Sequence, residues 1–243
     1  MKKRKLSVIG PVILTLAAIM LAVFVWHHWS EARAREVPSE PAQTVPETEP
    51  VTEAPRPTLP LMDFSDLLAQ NPEIIGRITI EGLGLDYPIV QGTDNSYYLN
   101  HTAEKKYNAM GALFLDYRVN RDFSNFSSVI YGHYTKSGKM FGKLHHLRER
   151  AEFDRVTEGM LYTPERTYRL EIFASVLTPA TSAFYDRIFL GRSSRETHLA
   201  MIRDEAVCYR DIGVMADDRL LTLSTCSYEY EWARTVIIAR LAE

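Results

Sequence analysis

The sequence predicts a mainly β domain, either a closed barrel or a sandwich, behind an apolar N-terminal stretch and a linker. From residue 61 onward, short runs rich in β-branched and aromatic residues alternate with turn signals, which is typical of strands. Helical periodicity is limited to a few short stretches. The chain has no internal repeat and no glycine-rich phosphate loop. Many short strands with few helices favour a barrel or a sandwich.

The N-terminal stretch has the composition of a membrane anchor. A basic tail, 1–5, precedes an apolar segment, 6–29, of which 6–26 carries no charge. About 21 residues at 1.5 Å per residue span roughly 30 Å, the thickness of a bilayer core. The basic tail favours a cytoplasmic N-terminus, so we expect a single-pass cell-membrane protein with an extracellular catalytic domain. The alternative is a cleaved signal peptide, for which this segment is long and its end lacks small residues.

The segment 30–60 has the composition of an extracellular linker. It combines proline with glutamate and threonine and has little apolar surface to bury. We expect a tether that separates the folded domain from the membrane. The same composition fits an idle spacer equally well.

Within the domain, 61–243, each predicted element has a local reason. A short helix over 63–70 is stopped by the Asn-Pro pair that follows it, because the residue before proline disfavours the helical conformation. Two further helices, over 139–150 and 193–206, are predicted from apolar residues that recur on one helical face. Strands are predicted from apolar runs between turn residues, over 76–80, 86–90, 111–115, 128–131, 168–176, 219–225 and 234–241.

Charge and composition exclude several classes of function. A formal net charge of −3 gives no electrostatic reason to expect nucleic acid binding. The two cysteines, Cys208 and Cys226, are too few for a disulfide framework. The histidines lack the spacing of a zinc site. No metal and no other cofactor is therefore predicted.

Three residues at strand ends have the chemistry of covalent acyl transfer. Cys226 ends the apolar run 221–225, His133 follows the run 128–132, and Arg234 opens the last predicted strand. If the last two strands form a hairpin, Cys226 and Arg234 face each other at about 5 Å. The arginine could then hold the carbonyl oxygen that the sulfur attacks and favour the thiolate. The histidine would act as the general acid and base.

Each of these residues also has a simpler interpretation. A cysteine in an apolar strand is often a small buried hydrophobic residue, and we interpret Cys208 in this way. A histidine after glycine is often a turn residue, and a single arginine is often a solvated surface group. A Cys208–Cys226 disulfide is a further alternative, because an oxidising exterior permits it, and it would block the nucleophile.

Taken together, these motifs resemble the sortases, the membrane-anchored cysteine transpeptidases of Gram-positive bacteria, and among them class B. The nucleophile motif is Thr222-Leu223-Ser224-Thr225-Cys226, and the histidine motif is Ile130-Tyr131-Gly132-His133. The resemblance covers nearly all of 61–242. It further includes the segments 86–91, 94–99, 111–118, 140–144 and 234–237. One difference is Tyr134, since relatives often carry Asn or His at that position, and it concerns substrate preference.

The resemblance implies an eight-stranded β-barrel with N-terminal helices and a helix, here 193–206, in the connection before the cysteine strand. It implies that Cys226 cleaves a sorting signal of the type Asn-Pro-x-Thr-x after Thr and that an amine of the peptidoglycan cross-bridge, or of its lipid-linked precursor, resolves the thioester. The partners would be surface proteins that bear this signal. Matching positions place His133, Cys226 and Arg234 in catalysis. They place in the peptide groove Asn95, Leu99, Tyr131, Ser224 and Thr225, with Tyr185 as an added wall.

Other functions remain possible at this point. A class B sortase can also polymerise pilins, and the choice of acceptor distinguishes that activity from cell-wall anchoring. A cysteine peptidase with water as the acceptor would use the same three residues. A tethered wall-binding module without catalysis would not need Cys226.

Overall fold

The computed structural model describes residues 59–186, 188–227 and 229–243. The predicted basic tail and anchor and nearly all of the predicted linker lie outside these residues. In the part of the chain that the structure describes, no helix is long and apolar enough to cross a membrane. This finding contradicts the predicted membrane location, which rested on the segment 6–29. The predicted domain boundaries stay predictions.

The strands of the described residues form one mixed sheet that closes on itself. Eight of them follow each other around a barrel in the order β1-β2-β3-β4-β8-β9-β6-β5, and β5 returns to β1. Only β2–β3 and β4–β8 are parallel pairs among these neighbours. The predicted eight-stranded barrel is therefore confirmed. The strand bounds are β1 Ile74–Ile80, β2 Leu85–Val90, β3 Leu113–Leu115, β4 Ser127–Tyr131, β5 Glu158–Tyr162, β6 Thr167–Pro179, β7 Ala206–Tyr209, β8 Arg219–Cys226 and β9 Ala233–Ala242.

The two strands that the sequence did not predict, β5 and β7, share one neighbour. β5 pairs with the first half of β6, and β7 pairs with Ala174–Val176 further along it. β5 is only five residues long and contains a glycine, and β7 directly follows a helix. Their local patterns are therefore weak, and pairing with β6 determines their conformation.

Two apolar clusters lie on opposite faces of the sheet, because successive side chains of a strand point to opposite sides. The first fills the barrel and draws on all eight barrel strands, including Leu221 and Leu223 of β8. The second lies outside the barrel and includes Leu220 of β8 with Val129 of β4. Ile202 belongs to the same outer cluster.

The helices are α1 Ser65–Gln70, α2 Arg150–Arg155 and α3 Arg192–Glu205, with short 3-10 helices at Glu81–Leu83, Tyr97–Leu99, Leu144–Arg148 and Ala183–Tyr185. α1 and α3 agree with the predicted helices 63–70 and 193–206. The predicted continuous helix over 139–150 is wrong. Met140 has a left-handed φ of 51°, and Glu149 is extended. The segment therefore divides into a turn, the complete 3-10 helix Leu144–Arg148 and the first residue of α2.

Candidate active site

The three predicted catalytic residues meet at one edge of the barrel. Cys226 is the last residue of β8 and pairs directly with Arg234 of β9. On its other side β8 runs parallel to β4, where Tyr131 pairs with Ser224. The Gly132 amide then donates to the Ser224 carbonyl at 3.1 Å, which extends this register by one residue. His133 follows next, so Cys226 lies between the histidine and the arginine, with neighbouring strands about 4.8 Å apart.

A groove of about 170 Å³ runs past these three residues. It contains five of the six residues predicted to bind the peptide. Sequence reasoning missed two further groove residues, Phe114 and Gly132. Both lie in segments that were singled out, but they were interpreted only as parts of a strand and a turn. The groove is lined by Asn95, Leu99, Phe114, Tyr131, Gly132, His133, Ser224, Thr225, Cys226 and Arg234.

The sixth predicted peptide-binding residue, Tyr185, lies behind the groove wall. Its side chain is 9% exposed, and its hydroxyl makes a 2.8 Å hydrogen bond with Ser224 Oγ. Its ring is stacked on Tyr131, with ring centroids 6.2 Å apart. Burial raises the pKa of Tyr185, so the phenol is neutral. Tyr185 therefore supports the wall through Ser224 and Tyr131.

Thr225 faces away from its two neighbours on β8. Ser224 and Cys226 point to one face of the strand, and Thr225 points to the other. Its hydroxyl is buried and has no hydrogen-bond partner among the described residues. Thr225 thus lines the groove without offering its hydroxyl to a ligand.

One wall of the groove is fixed by a buried carboxylate, which pairs with a half-exposed arginine. Asp116 is fully buried and pairs with Arg118 at 2.8 Å. The Tyr131 hydroxyl donates to the same carboxylate at 3.0 Å. Beside it, Asn95 Oδ1 accepts the Tyr117 amide at 3.1 Å. These bonds orient two predicted peptide-binding side chains before any ligand arrives.

The ring of His133 has a backbone partner. Its Nε2 lies 2.7 Å from the carbonyl oxygen of Leu99. Leu99 is itself 43% exposed and lines the groove. The loop that forms one side of the groove therefore also holds the histidine.

Both cysteines are free, so the alternative Cys208–Cys226 disulfide is not formed. Cys208 is buried, as predicted, and its thiol donates to the Arg148 carbonyl at 3.4 Å. Burial raises the pKa of Cys208, which keeps it a thiol. Cys226 is half-buried and lines the groove. Of the two sulfur atoms, Cys226 is the accessible one.

The loop after Cys226 is tied to a neighbouring element. Glu229 forms an ion pair with Arg148 and accepts a hydrogen bond from Ser227. Burial raises the pKa of Glu229, but the bonds from Ser227 and Arg148 outweigh it and bring the value to about 2. An open depression of about 480 Å³ lies along this loop, lined by Cys226, Ser227, Tyr230, Glu231, Trp232 and Arg234.

The chain is similar in sequence and in fold to several sortases. Residues 78–242 match the sortase domain family. Sortase B of Listeria monocytogenes is 33% identical over 184 residues, which is 74% of each chain. The structure of Clostridium perfringens sortase B has a TM-score of 0.71 and 29% identity and covers 74% of this chain and 100% of that one. A Streptococcus pyogenes class B sortase involved in pilus biogenesis has a TM-score of 0.67 and 32% identity, over 74% and 97% of the two chains.

Proposed function

Because this chain belongs to the sortase family, as a class B cysteine transpeptidase, we propose that it cleaves a sorting signal of the type Asn-Pro-x-Thr-x after Thr. It then transfers the surface protein to an amine of the peptidoglycan cross-bridge or of its lipid-linked precursor. The observation that carries this proposal is the position of Cys226 between His133 and Arg234 in the lining of one groove.

In the first step, the Cys226 thiolate attacks the carbonyl carbon of the Thr residue. The carbonyl oxygen becomes an oxyanion, which the Arg234 guanidinium stabilises. The C–N bond breaks, and His133 gives its proton to the leaving amine. A thioester between Cys226 and the surface protein remains, and the C-terminal part of the signal leaves.

In the second step, the acceptor amine attacks the thioester. His133 takes the proton that this amine loses, and Arg234 again stabilises the oxyanion. The C–S bond breaks, so an amide joins the protein to the acceptor and the Cys226 thiolate is restored. Tyr131, Asn95 and Leu99 would hold the signal peptide during both steps.

Pilin polymerisation is a second candidate, supported by the 32% identity to the Streptococcus pyogenes enzyme involved in pilus biogenesis. The chemistry of the two steps is the same. The acceptor is then a lysine amine on another pilin subunit in place of a cell-wall amine. The two candidates differ only in the second substrate.

The test is a transfer assay read by mass spectrometry. The full chain is incubated with a library of sorting-signal peptides and with oligoglycine, diaminopimelate or a lysine-containing pilin peptide. We expect cleavage after Thr and an amine-linked product. The acceptor that is incorporated distinguishes wall anchoring from pilin polymerisation.

Two variants provide the controls. Cys226→Ala removes the nucleophile and should abolish both cleavage and transfer. Cys208→Ala removes the buried thiol and should keep the activity. A free acid as the only product with every acceptor would favour a hydrolytic peptidase. Full function in the Cys226→Ala variant would favour a binding module.

A further inference from the structure

The ring of His133 is held by a backbone carbonyl oxygen, which carries no proton. The Leu99 carbonyl oxygen lies 2.7 Å from Nε2, and a carbonyl oxygen can only accept a hydrogen bond. Nε2 must therefore carry a proton in every state of His133 that keeps this bond. In neutral histidine the second ring nitrogen, Nδ1, is then the basic one.

The Leu99 carbonyl is itself held in place by its neighbours. Leu99 ends the 3-10 helix Tyr97–Leu99. The preceding carbonyl oxygen, that of Tyr98, accepts a hydrogen bond from the Ala112 amide at 3.0 Å. The following carbonyl oxygen, that of Asn100, accepts a hydrogen bond from the Asn108 amide at 2.9 Å. Hydrogen bonds on both sides thus fix the peptide groups that flank the Leu99 carbonyl.

Gly111 is the residue that lets the two segments approach this closely. Its φ is +61°, a conformation that residues with a Cβ rarely adopt. A Cβ at this position would lie 2.3 Å from the Tyr98 carbonyl oxygen and 2.7 Å from the Leu99 carbonyl oxygen. A single methyl group would therefore push against the carbonyl that holds His133.

We propose that Gly111 and the Leu99 carbonyl are positioning groups for His133, which keep Nε2 protonated and assign proton exchange to Nδ1. This division of roles rests on the proposed function. Nδ1 gives a proton to the leaving amine in the first step and takes one from the incoming amine in the second. Nε2 keeps its proton throughout, so the two steps balance.

The physical effect of the carbonyl is on geometry. The hydrogen bond fixes the orientation of the ring, as the buried aspartate does in a serine protease triad.

The first test measures the two ring nitrogens directly. Nitrogen-15 NMR of His133, in the full-length protein and in Cys226→Ala, reports which nitrogen is protonated in the neutral ring. We expect the Nε2-protonated form in both proteins. The Nδ1-protonated form would overturn the proposal. This readout needs no substrate, so it can fail while the proposed function holds, and the reverse is also true.

The second test compares two glycine variants. Gly111→Ala introduces a methyl group against the Leu99 carbonyl. Gly213→Ala introduces one at a similar φ of +68° with nothing within 4 Å, so it controls for backbone strain alone. We expect Gly111→Ala to reduce kcat by roughly 10- to 100-fold, the cost of a displaced catalytic group, and to weaken the preference for the Nε2-protonated form.

Gly213→Ala should change neither kcat nor the ring spectrum. Wild-type kcat with an unchanged tautomer in Gly111→Ala would overturn the proposal, as would a change in KM alone. If Gly111→Ala does not fold, the ring spectrum of the wild-type protein decides the question.

Discussion

Among single side chains, the most informative ones are those whose strand register makes them neighbours of Cys226. Arg234 pairs with Cys226 across the β8–β9 hairpin, and one of its terminal nitrogens donates to its neighbour's carbonyl, that of Ala233, at 2.9 Å. This bond orients a planar group that has further donors on its other nitrogens. The orientation of the guanidinium is thus set by a contact within the protein.

We predict that Arg234→Ala lowers kcat by about 10²–10³-fold, the usual effect of removing one oxyanion donor. Arg234→Lys should recover only part of this loss, because an ammonium keeps the charge but lacks the planar fork. Steady-state kinetics of the transfer reaction measure both variants. Arg203→Ala, on the exposed side of α3, is the matched control. Wild-type kcat in Arg234→Lys would show that charge alone is sufficient.

At the level of elements, the site edge is held by the β8–β9 hairpin and by α3. The hairpin loop is joined to the 3-10 helix Leu144–Arg148 through the Glu229–Arg148 ion pair. α3 places Ile202 in the outer apolar cluster that contains strand residues of β4, β8 and β9. The 3-10 helix Leu144–Arg148 and α3 thus both support strands that carry the predicted catalytic residues, although neither helix contains one of the three.

We predict that Glu229→Gln lowers the melting temperature at neutral pH and that this difference disappears in acid. The pKa of Glu229 in the folded protein, about 2, lies below its ordinary value of 4.5. The stabilisation is therefore complete above about pH 4.5 and is lost as the pH falls towards 2. Because the carboxylate is 39% exposed, we expect less than about 1 kcal/mol. A difference that is constant from neutral to acid pH would contradict this.

A second prediction concerns His198 on α3. It is 5% exposed and packs against Phe126, Phe184 and Phe189. Burial lowers its pKa to about 4, although Asp186 acts in the opposite direction. As the pH falls, His198 therefore becomes protonated at a lower pH in the folded state than in the unfolded state. Stability is complete above the unfolded value of 6.5 and falls as the pH drops from 6.5 towards 4.

Urea unfolding at about pH 7.5 and about pH 5 measures this effect. The free energy of unfolding should be lower at about pH 5 than at about pH 7.5. We expect His198 to account for about 2 kcal/mol of this decrease. His198→Leu should show a correspondingly smaller loss. His146→Gln changes an exposed histidine and is the control. An equal loss in His198→Leu and the wild-type protein would disprove the prediction.

For the molecule as a whole, the strand that closes the barrel and the predicted active site lie in different parts of the sheet. β5 closes the barrel by pairing with β1 and β6, whereas the predicted catalytic residues lie where β4 and β8 end and β9 begins. Gly159 of β5 sits at the closure. A Cβ there would be 2.6 Å from the Thr79 carbonyl oxygen and 2.9 Å from Ile80 Cγ1.

We predict that Gly159→Ala destabilises the protein by about 1–3 kcal/mol, as overpacking usually does. The transfer rate should be unchanged at temperatures where the variant is folded, because the site edge is formed by other strands. Denaturant unfolding and kcat, measured on the same sample, check the two parts. A lower kcat in the fully folded variant would show that barrel closure and the site are coupled.

Much of the site could be read from local sequence. Cys226, His133 and Arg234 are chemically distinctive residues at the ends of apolar runs, and a strand end is a local property of the pattern. α3 and the strands with strong alternation were found for the same reason. The resemblance to sortases then connected them, and it gave the barrel and the positions of Asn95 and Leu99.

The remaining features depend on pairing between distant segments. The break at Met140, the strands β5 and β7, and the place of Tyr185 behind Ser224 have weak local signals, since partners far along the chain determine them. The bond from His133 to Leu99 has no sequence signal of its own, because every residue has a carbonyl group. Which carbonyl reaches the histidine is set by the close approach at Gly111, and that approach exists only when the chain is folded.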